Sequence, residues 1–228
     1  MKNRSFLSFF PYFVVFFAGF SLNAQEIVTA GRYLEMVSER YSSIRDYEAR
    51  IVIQNGTVQM NGNVSHLGPN FLRIDFTSPA EQVIVYNGES LMVYLPGDRA
   101  ILNQNVGSQG EGANLATSRG LTLLRRNYIP AFVVGPEPTP LEEGSGERVV
   151  KLRLARRSAS EGFREIILDV DPETRLIRRI TGRTVNEITV RFDFSNIRLN
   201  QGIPEQRFVF DAPPATNMFN NFLFKDSE

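Results

Sequence analysis

The chain has no cysteine and a single histidine among its 228 residues. Without thiols there is no disulfide framework, no thiolate zinc or iron–sulfur site and no cysteine nucleophile. The same absence leaves no cysteine for lipidation, so a bacterial-type lipid anchor at the N-terminus is excluded. One imidazole, His66, excludes every metal or catalytic scheme that needs two. Net charge is lacking as well, because 25 Lys and Arg balance 25 Asp and Glu. The chain therefore offers no global field for nucleic acid or for an anionic membrane. Its length suits one domain.

The N-terminus reads as an address. Lys2 and Arg4 precede an apolar stretch from Phe6 to Phe20, then Ser21-Leu22-Asn23-Ala24. A basic start, a short apolar run broken by Pro11 and a small residue describe a signal peptide cut after Ala24, not a membrane anchor. Residues 1–24 are expected to be removed and 25–228 to form a single domain. Removal takes Lys2, Arg4 and seven of the eighteen Phe, leaving a net charge of −2. No later segment approaches the roughly 18 apolar residues of a spanning helix. Export without cysteine fits a Gram-negative-type periplasm.

Periodicity then divides the chain. Ile27, Ala30, Leu34, Val37, Tyr41 and Ile44 recur at spacings of three and four, which predicts an amphipathic helix from Glu26 to about Ser43. After Asp46 the period becomes two: Ala49, Ile51 and Ile53, then Leu72, Ile74 and Phe76, then Val150, Leu152 and Leu154, then Ile188, Val190, Phe192 and Phe194. Asn55-Gly56, Gly68-Pro69, Asn87-Gly88 and Asp171-Pro172 mark turns between such runs. Gln82–Tyr86 and Leu91–Leu95 are apolar on both sides, which predicts strands covered twice. The polar, Gly-rich stretch from Asn103 to Ser118 predicts a loop. Leu121, Leu124 and Tyr128 suggest a short second helix that Pro130 stops. The fold class expected is mainly β: one antiparallel sheet of about ten strands, apolar on one face, with two helices available to cover it. A filled barrel, a sandwich without a cavity and a curled sheet around an apolar cavity all satisfy the pattern.

Reactive chemistry has little support. Gly107-Ser108-Gln109-Gly110-Glu111-Gly112 neither follows a strand nor opens a helix as a phosphate cradle must, so it reads as loop. Asp169, Asp171 and Glu173 lack the spacing of a calcium loop and read as a hairpin turn. His66 flanks a turn and is expected to be solvated or locally hydrogen-bonded. Arg153, Arg164, Arg179, Arg183 and Arg191 are matched by Glu165, Glu187 and Asp193, so cross-strand ion pairs are expected. Docking to phospholipid headgroups is the alternative use of these arginines. The expectation is a protein that is not an enzyme, with no catalytic residue, no metal and no cofactor.

The stretch Gly62–Tyr94, with its Gly68-Pro69-Asn70 turn, its aromatic strand Phe71–Phe76, Pro79, the Asn87-Gly88 turn and Leu91-Met92-Val93-Tyr94, resembles the periplasmic outer-membrane lipoprotein carrier family (LolA/LolB-like proteins). Phe208-Val209-Phe210-Asp211-Ala212-Pro213 resembles that family's closing strand. The resemblance implies an incomplete, curled antiparallel barrel whose helices close its mouth. It also implies a periplasmic chaperone that shields lipoprotein acyl chains in transit to the outer membrane. An inner-membrane ABC transporter would donate the cargo and an outer-membrane acceptor would receive it. The family's lid-holding Arg before the Pro-Asn turn is replaced here by Gly68.

The apolar face is the candidate acyl-chain site. Leu72, Ile74, Phe76, Ile84, Tyr86, Met92 and Tyr94 are expected on one half of the concave side, and Ile188, Val190, Phe192 and Phe194 on the other. Burial against them yields about 0.8 kcal/mol per CH₂. A lipid or lipoprotein partner, a monomeric carrier and no nucleic acid are expected. The alternative is a non-transporting periplasmic binding or sensor module whose sheet face is solid core.

Overall fold

A computed structural model describes residues 28–105 and 116–221. The expected signal peptide and the glycine stretch 107–112 lie outside the described residues. Helix α1 (Ala30–Ser42) starts at Thr29, whose Oγ1 accepts the Arg32 N–H at 3.2 Å. That bond satisfies one of the donors a helix start leaves open. Its buried stripe is Ala30, Tyr33, Leu34, Val37 and Tyr41. Arg32 bridges Glu35 and Glu39 on the solvent side. Helix α2 (Ser118–Asn127) is capped likewise by Thr117, whose Oγ1 accepts the Gly120 N–H at 3.1 Å. It buries Leu121 and Leu124.

Hairpins build the sheet in chain order. β1 (Asp46–Asn55), β2 (Val58–Leu67), β3 (Phe71–Ser78), β4 (Ala80–Asn87), β5 (Ser90–Leu95) and β6 (Ala100–Asn105) precede α2. β7 (Tyr128–Phe132), β8 (Thr139–Pro140), β9 (Arg148–Arg156), β10 (Phe163–Val170), β11 (Ile177–Thr184), β12 (Thr189–Leu199) and β13 (Asn217–Asn220) follow. The lateral order is β13-β6-β5-β4-β3-β2-β1-β12-β11-β10-β9-β7, with β8 also on β9. The curled sheet does not close, since β13 and β7 remain its two ends. Every pair is antiparallel except β13 on β6. Thirteen strands replace the ten expected because β7, β8 and β13 are too short to show alternation. Pro130 sits within β7, which its place at the end of the sheet allows.

The concave face and both helices share one core. Leu152, Leu154, Ile166, Leu168 and Ile177 are wholly buried against the helix side chains Leu34, Val37 and Leu121. Gly62 in β2 lets β3 come close: a Cβ there would lie 2.6 Å from the Asp75 carbonyl oxygen, at the register shift between Asn61 and Gly62. A bulge at a glycine bends the strand and promotes curling.

A second, smaller core lies on the outer face. Val83, Val85 and Tyr94 pack there with Phe208, and Phe210 joins them from the C-terminal segment. This is the double cover predicted for β4 and β5. The segment is not a closing strand, contrary to the resemblance: Glu205–Phe208 is a single 3₁₀ turn, and Phe208–Pro213 forms no sheet pairing. Phe208 meets Phe71 at 5.4 Å between ring centres, and Phe210 meets Tyr94 at 5.1 Å. Arg73 Nη1 donates to the carbonyls of Arg207 and Val209 at 3.1 and 3.0 Å, holding the segment on the sheet.

Most arginines of the other half pair across strands as expected: Arg153 and Arg183 meet Glu165, and Arg179 meets Asp193. Arg191 meets Asp193 along its own strand, β12. Asp171 Oδ1 accepts from the backbone N–H groups of Glu173 and Thr174 and from the Thr174 hydroxyl. That is the bonding of a tight turn.

Candidate functional site

The candidate site is the concave apolar face together with its lid. Leu72, Ile74 and Phe76 of β3, Ile84 and Tyr86 of β4, and Val190, Phe192 and Phe194 of β12 all join the core under the helices. Ile84, Val190 and Phe192 are only partly buried there.

Met92 and Tyr94 do not belong to this face. The two-residue turn Gly88-Glu89 pairs Tyr86 with Leu91 and Ile84 with Val93, so odd-numbered residues of β5 face the helices. Met92 and Tyr94 therefore lie outside, with Val85 and the C-terminal Phe210. Ile188 is also misplaced by periodicity. It precedes β12 in a turn and is 49% exposed. Periodicity leaves out of the site Ile51, Ile53 and Val64, and the row Leu152, Leu154, Ile166, Leu168, Ile177 and Ile180. Their alternation is visible; their junction with β3 and β4 follows only once β1 pairs with β12.

The lid is held by a few polar bonds. Tyr47 Oη, buried under α1, donates to the Ala116 carbonyl at 3.1 Å. Burial raises the Tyr47 phenol above its ordinary range. Ser42 and Ser118 share a hydroxyl bond at 3.0 Å, and Arg125 meets Glu35 at 2.8 Å. Hydrogen bonding from Arg32, then the charge of Arg125, holds the Glu35 carboxyl below its ordinary value. Arg119 Nη1 reaches Asn70 Oδ1 at 3.4 Å. The turn that carries Gly68 in place of the family's Arg thus receives an arginine from the helix instead. Tyr41 ties α1 to the sheet, its hydroxyl accepting the Ile177 N–H at 3.1 Å, and burial pushes its phenol up to about 12.

Under this lid the described residues pack closely around Leu34, Val37 and Leu121. A void of about 10 Å³ lies among Tyr41, Tyr47, Ala49, Leu176, Ile177 and Phe194. That is room for one water at most.

His66 is far more buried than a turn-flanking histidine is expected to be. It is 5% exposed, with Nδ1 2.7 Å from the Phe71 carbonyl and its ring 5.1 Å from that of Tyr47. A carbonyl accepts, so Nδ1 carries the proton and Nε2 the lone pair. Burial lowers the pKa of this imidazole, against opposing contributions from the Phe71 bond and Asp46. No group of three or more metal-ligating side chains occurs among the described residues. No described helix is long and apolar enough to cross a membrane.

No protein-family model and no curated protein matches the sequence. Solved structures do. A conserved protein from Thermus thermophilus is similar over 82% of this chain and 98% of its own, at 11% identity and a TM-score of 0.55. MucB is similar over 80% of this chain at 14% identity and a TM-score of 0.53, but this chain spans only 63% of MucB. A LolA superfamily protein from Nitrosomonas europaea matches over 80% of this chain and 98% of its own, at 14% identity and a TM-score of 0.42. The curled, unclosed sheet under two helices agrees with the incomplete barrel expected from the sequence, and it is the fold shared with the Thermus thermophilus protein and MucB.

Proposed function

We propose that this protein is a periplasmic carrier that shields acyl chains of lipoproteins or lipids, taking them against the concave face when α2 lifts. The observation that carries the reading is a large apolar face continuous from β3 to β12 under a lid tied by few polar bonds. Burial of methylenes supplies the binding energy, about 0.8 kcal/mol each. No covalent step is involved and the protein is not an enzyme. Transit from an inner-membrane ABC transporter to an outer-membrane acceptor, as a cleaved and soluble monomer, completes the proposal.

A second reading, a binding or sensor module with a solid core, is favoured by the wholly buried row Leu152, Leu154, Ile166, Leu168 and Ile177 under the helices. Native mass spectrometry of protein purified from periplasm, followed by organic extraction, separates the two. The carrier is expected to release an acylated ligand that is lost in Phe192→Asp, a partly buried position chosen so that the fold survives. An apo mass that takes up no added lipoprotein or phospholipid supports the solid module.

A further inference from the structure

Most arginines of the described residues meet a carboxylate or a carbonyl oxygen, but Arg50, Arg99, Arg126 and Arg157 have neither an ion pair nor a side-chain hydrogen bond there. Arg50 and Arg99 stand apart, in β1 and in the β5–β6 turn. Arg126 and Arg157 are brought together. Helix α2 ends in Arg125-Arg126-Asn127, and the Asn127 carbonyl accepts the Arg157 N–H at 2.9 Å. Tyr128 then pairs with Arg156, so the last turn of the lid helix and the end of β9 set four arginines at one corner.

Carboxylates are too few to balance this corner. Arg125 meets Glu35 at 2.8 Å, but Glu35 is shared with Arg32. Glu161 is the one acid in the turn between β9 and β10, and its charge acts on Tyr128 against that of Arg156. Arg156 itself donates only to the Ala159 carbonyl, at 3.4 Å. A basic end suits the helix dipole, which accounts for Arg125 and Arg126 but not for Arg156 and Arg157 at the end of a strand. A second observation is apolar. Ile129, beside Tyr128, is 51% exposed, and Val133 and Val134, just past β7, are 47% and 83% exposed. They lie at an end of the sheet, with no further strand beyond β7 among the described residues.

We propose that this corner docks on a membrane surface rich in anionic phospholipid, with Arg126, Arg156 and Arg157 against headgroup phosphates and Ile129 entering the acyl boundary. Basic side chains beside exposed apolar ones are what a peripheral membrane surface combines: attraction from the first, burial from the second. The chain as a whole supplies no such attraction, since 25 basic residues balance 25 acidic ones. The pull is therefore local and turns the end of α2 toward the lipid. This surface is the same whether the barrel interior is open or solid.

Sedimentation of protein purified from periplasm with lipid vesicles tests this. Binding is expected to vesicles of equal parts phosphatidylglycerol and phosphatidylcholine and not to phosphatidylcholine alone. It should be lost in about 0.5 M salt, where charges are screened within a few ångströms. Arg126→Gln and Arg157→Gln, both at exposed positions, should each weaken it about fivefold. Arg50→Gln and Arg99→Gln remove charges equally free of partners and should change it by less than about twofold. Ile129→Ser should weaken binding without altering its salt dependence. Equal losses in all four arginine variants would mean indiscriminate charge and overturn the proposal. So would equal binding to both vesicles, or binding to neither, the outcome expected if the corner instead takes an acidic protein. An unchanged affinity in Ile129→Ser would overturn the entry of Ile129 into the bilayer.

Discussion

The Tyr47 hydroxyl donates to the Ala116 carbonyl from a position 69 residues away, joining the first strand to the residue just before the α2 cap. It is a buried bond at the root of the lid, so its loss acts on the cover before it acts on the sheet. Tyr47→Phe removes one oxygen and keeps the ring that packs, tilted, against His66. A stability loss of about 1 kcal/mol is expected. Hydrogen exchange should quicken at the Leu121 and Leu124 amides and stay unchanged at Ile166 and Leu168 in β10. Equal acceleration in both places would show that Tyr47 serves the whole core rather than the lid.

Arg73 does for the outer face what Tyr47 does for the inner one. Its side chain is mostly buried, pairs with Asp75 at 2.8 Å and fills the carbonyls of Arg207 and Val209. Arg207 returns to the same Asp75 at 2.7 Å. Arg73→Met leaves two carbonyls and a carboxylate short of donors, at about 1–3 kcal/mol. The C-terminal segment should loosen first. Trypsin should then cut after Arg207 faster than in the parent protein, ahead of any cut within β9–β12. Unchanged cleavage at Arg207 would mean that Phe208 and Phe210 alone hold the segment.

Those two clamps mark the limit of what periodicity conveys. Alternation in β1–β3 and β9–β12 locates the apolar face, because there one side of the strand faces the helices and the other is polar. It fails at Met92 and Tyr94 for the same reason it succeeds elsewhere. The sequence shows which residues alternate, but the face is set by the turn, and the turn at Gly88-Glu89 exchanges even for odd. A strand apolar on both sides leaves no compositional sign of the exchange. Ile188 fails because parity continues through a turn where the strand does not. His66 reads as solvated or locally hydrogen-bonded beside Gly68-Pro69; its bond to the Phe71 carbonyl is the local one, but nothing local reveals its burial.

Gly62 is the point where the curl meets the packing. Its Cβ would fall 2.6 Å from the Asp75 oxygen and 3.1 Å from Phe76 Cα, both backbone atoms that cannot swing away. Gly62→Ala should destabilise by about 1–3 kcal/mol through overpacking and a forced shift of β3. Gly97→Ala is the control, because nothing lies within 4 Å of a Cβ there. It should stay within about 0.5 kcal/mol of the parent. Urea unfolding of the pair checks this. Equal midpoints would show that β2 and β3 separate at no cost.

The buried imidazole of His66 makes stability depend on pH. Its folded pKa is below the ordinary value of 6.5, chiefly through burial. Between the folded and unfolded values the unfolded chain binds the extra proton, so stability rises with pH across that window. Above 6.5 the contribution is complete, and it is lost as pH falls through 6.5 toward the folded value. Asp169 works the other way. Burial raises its carboxyl above 3.8. As pH falls toward that value it therefore favours the folded state. The two are separated by comparing the parent with His66→Gln. The difference in unfolding free energy between them should be constant above about pH 7.5 and shift against the parent by about pH 5.5, while Asp169 cancels in the subtraction. A difference that stays flat over that range would place His66 in water.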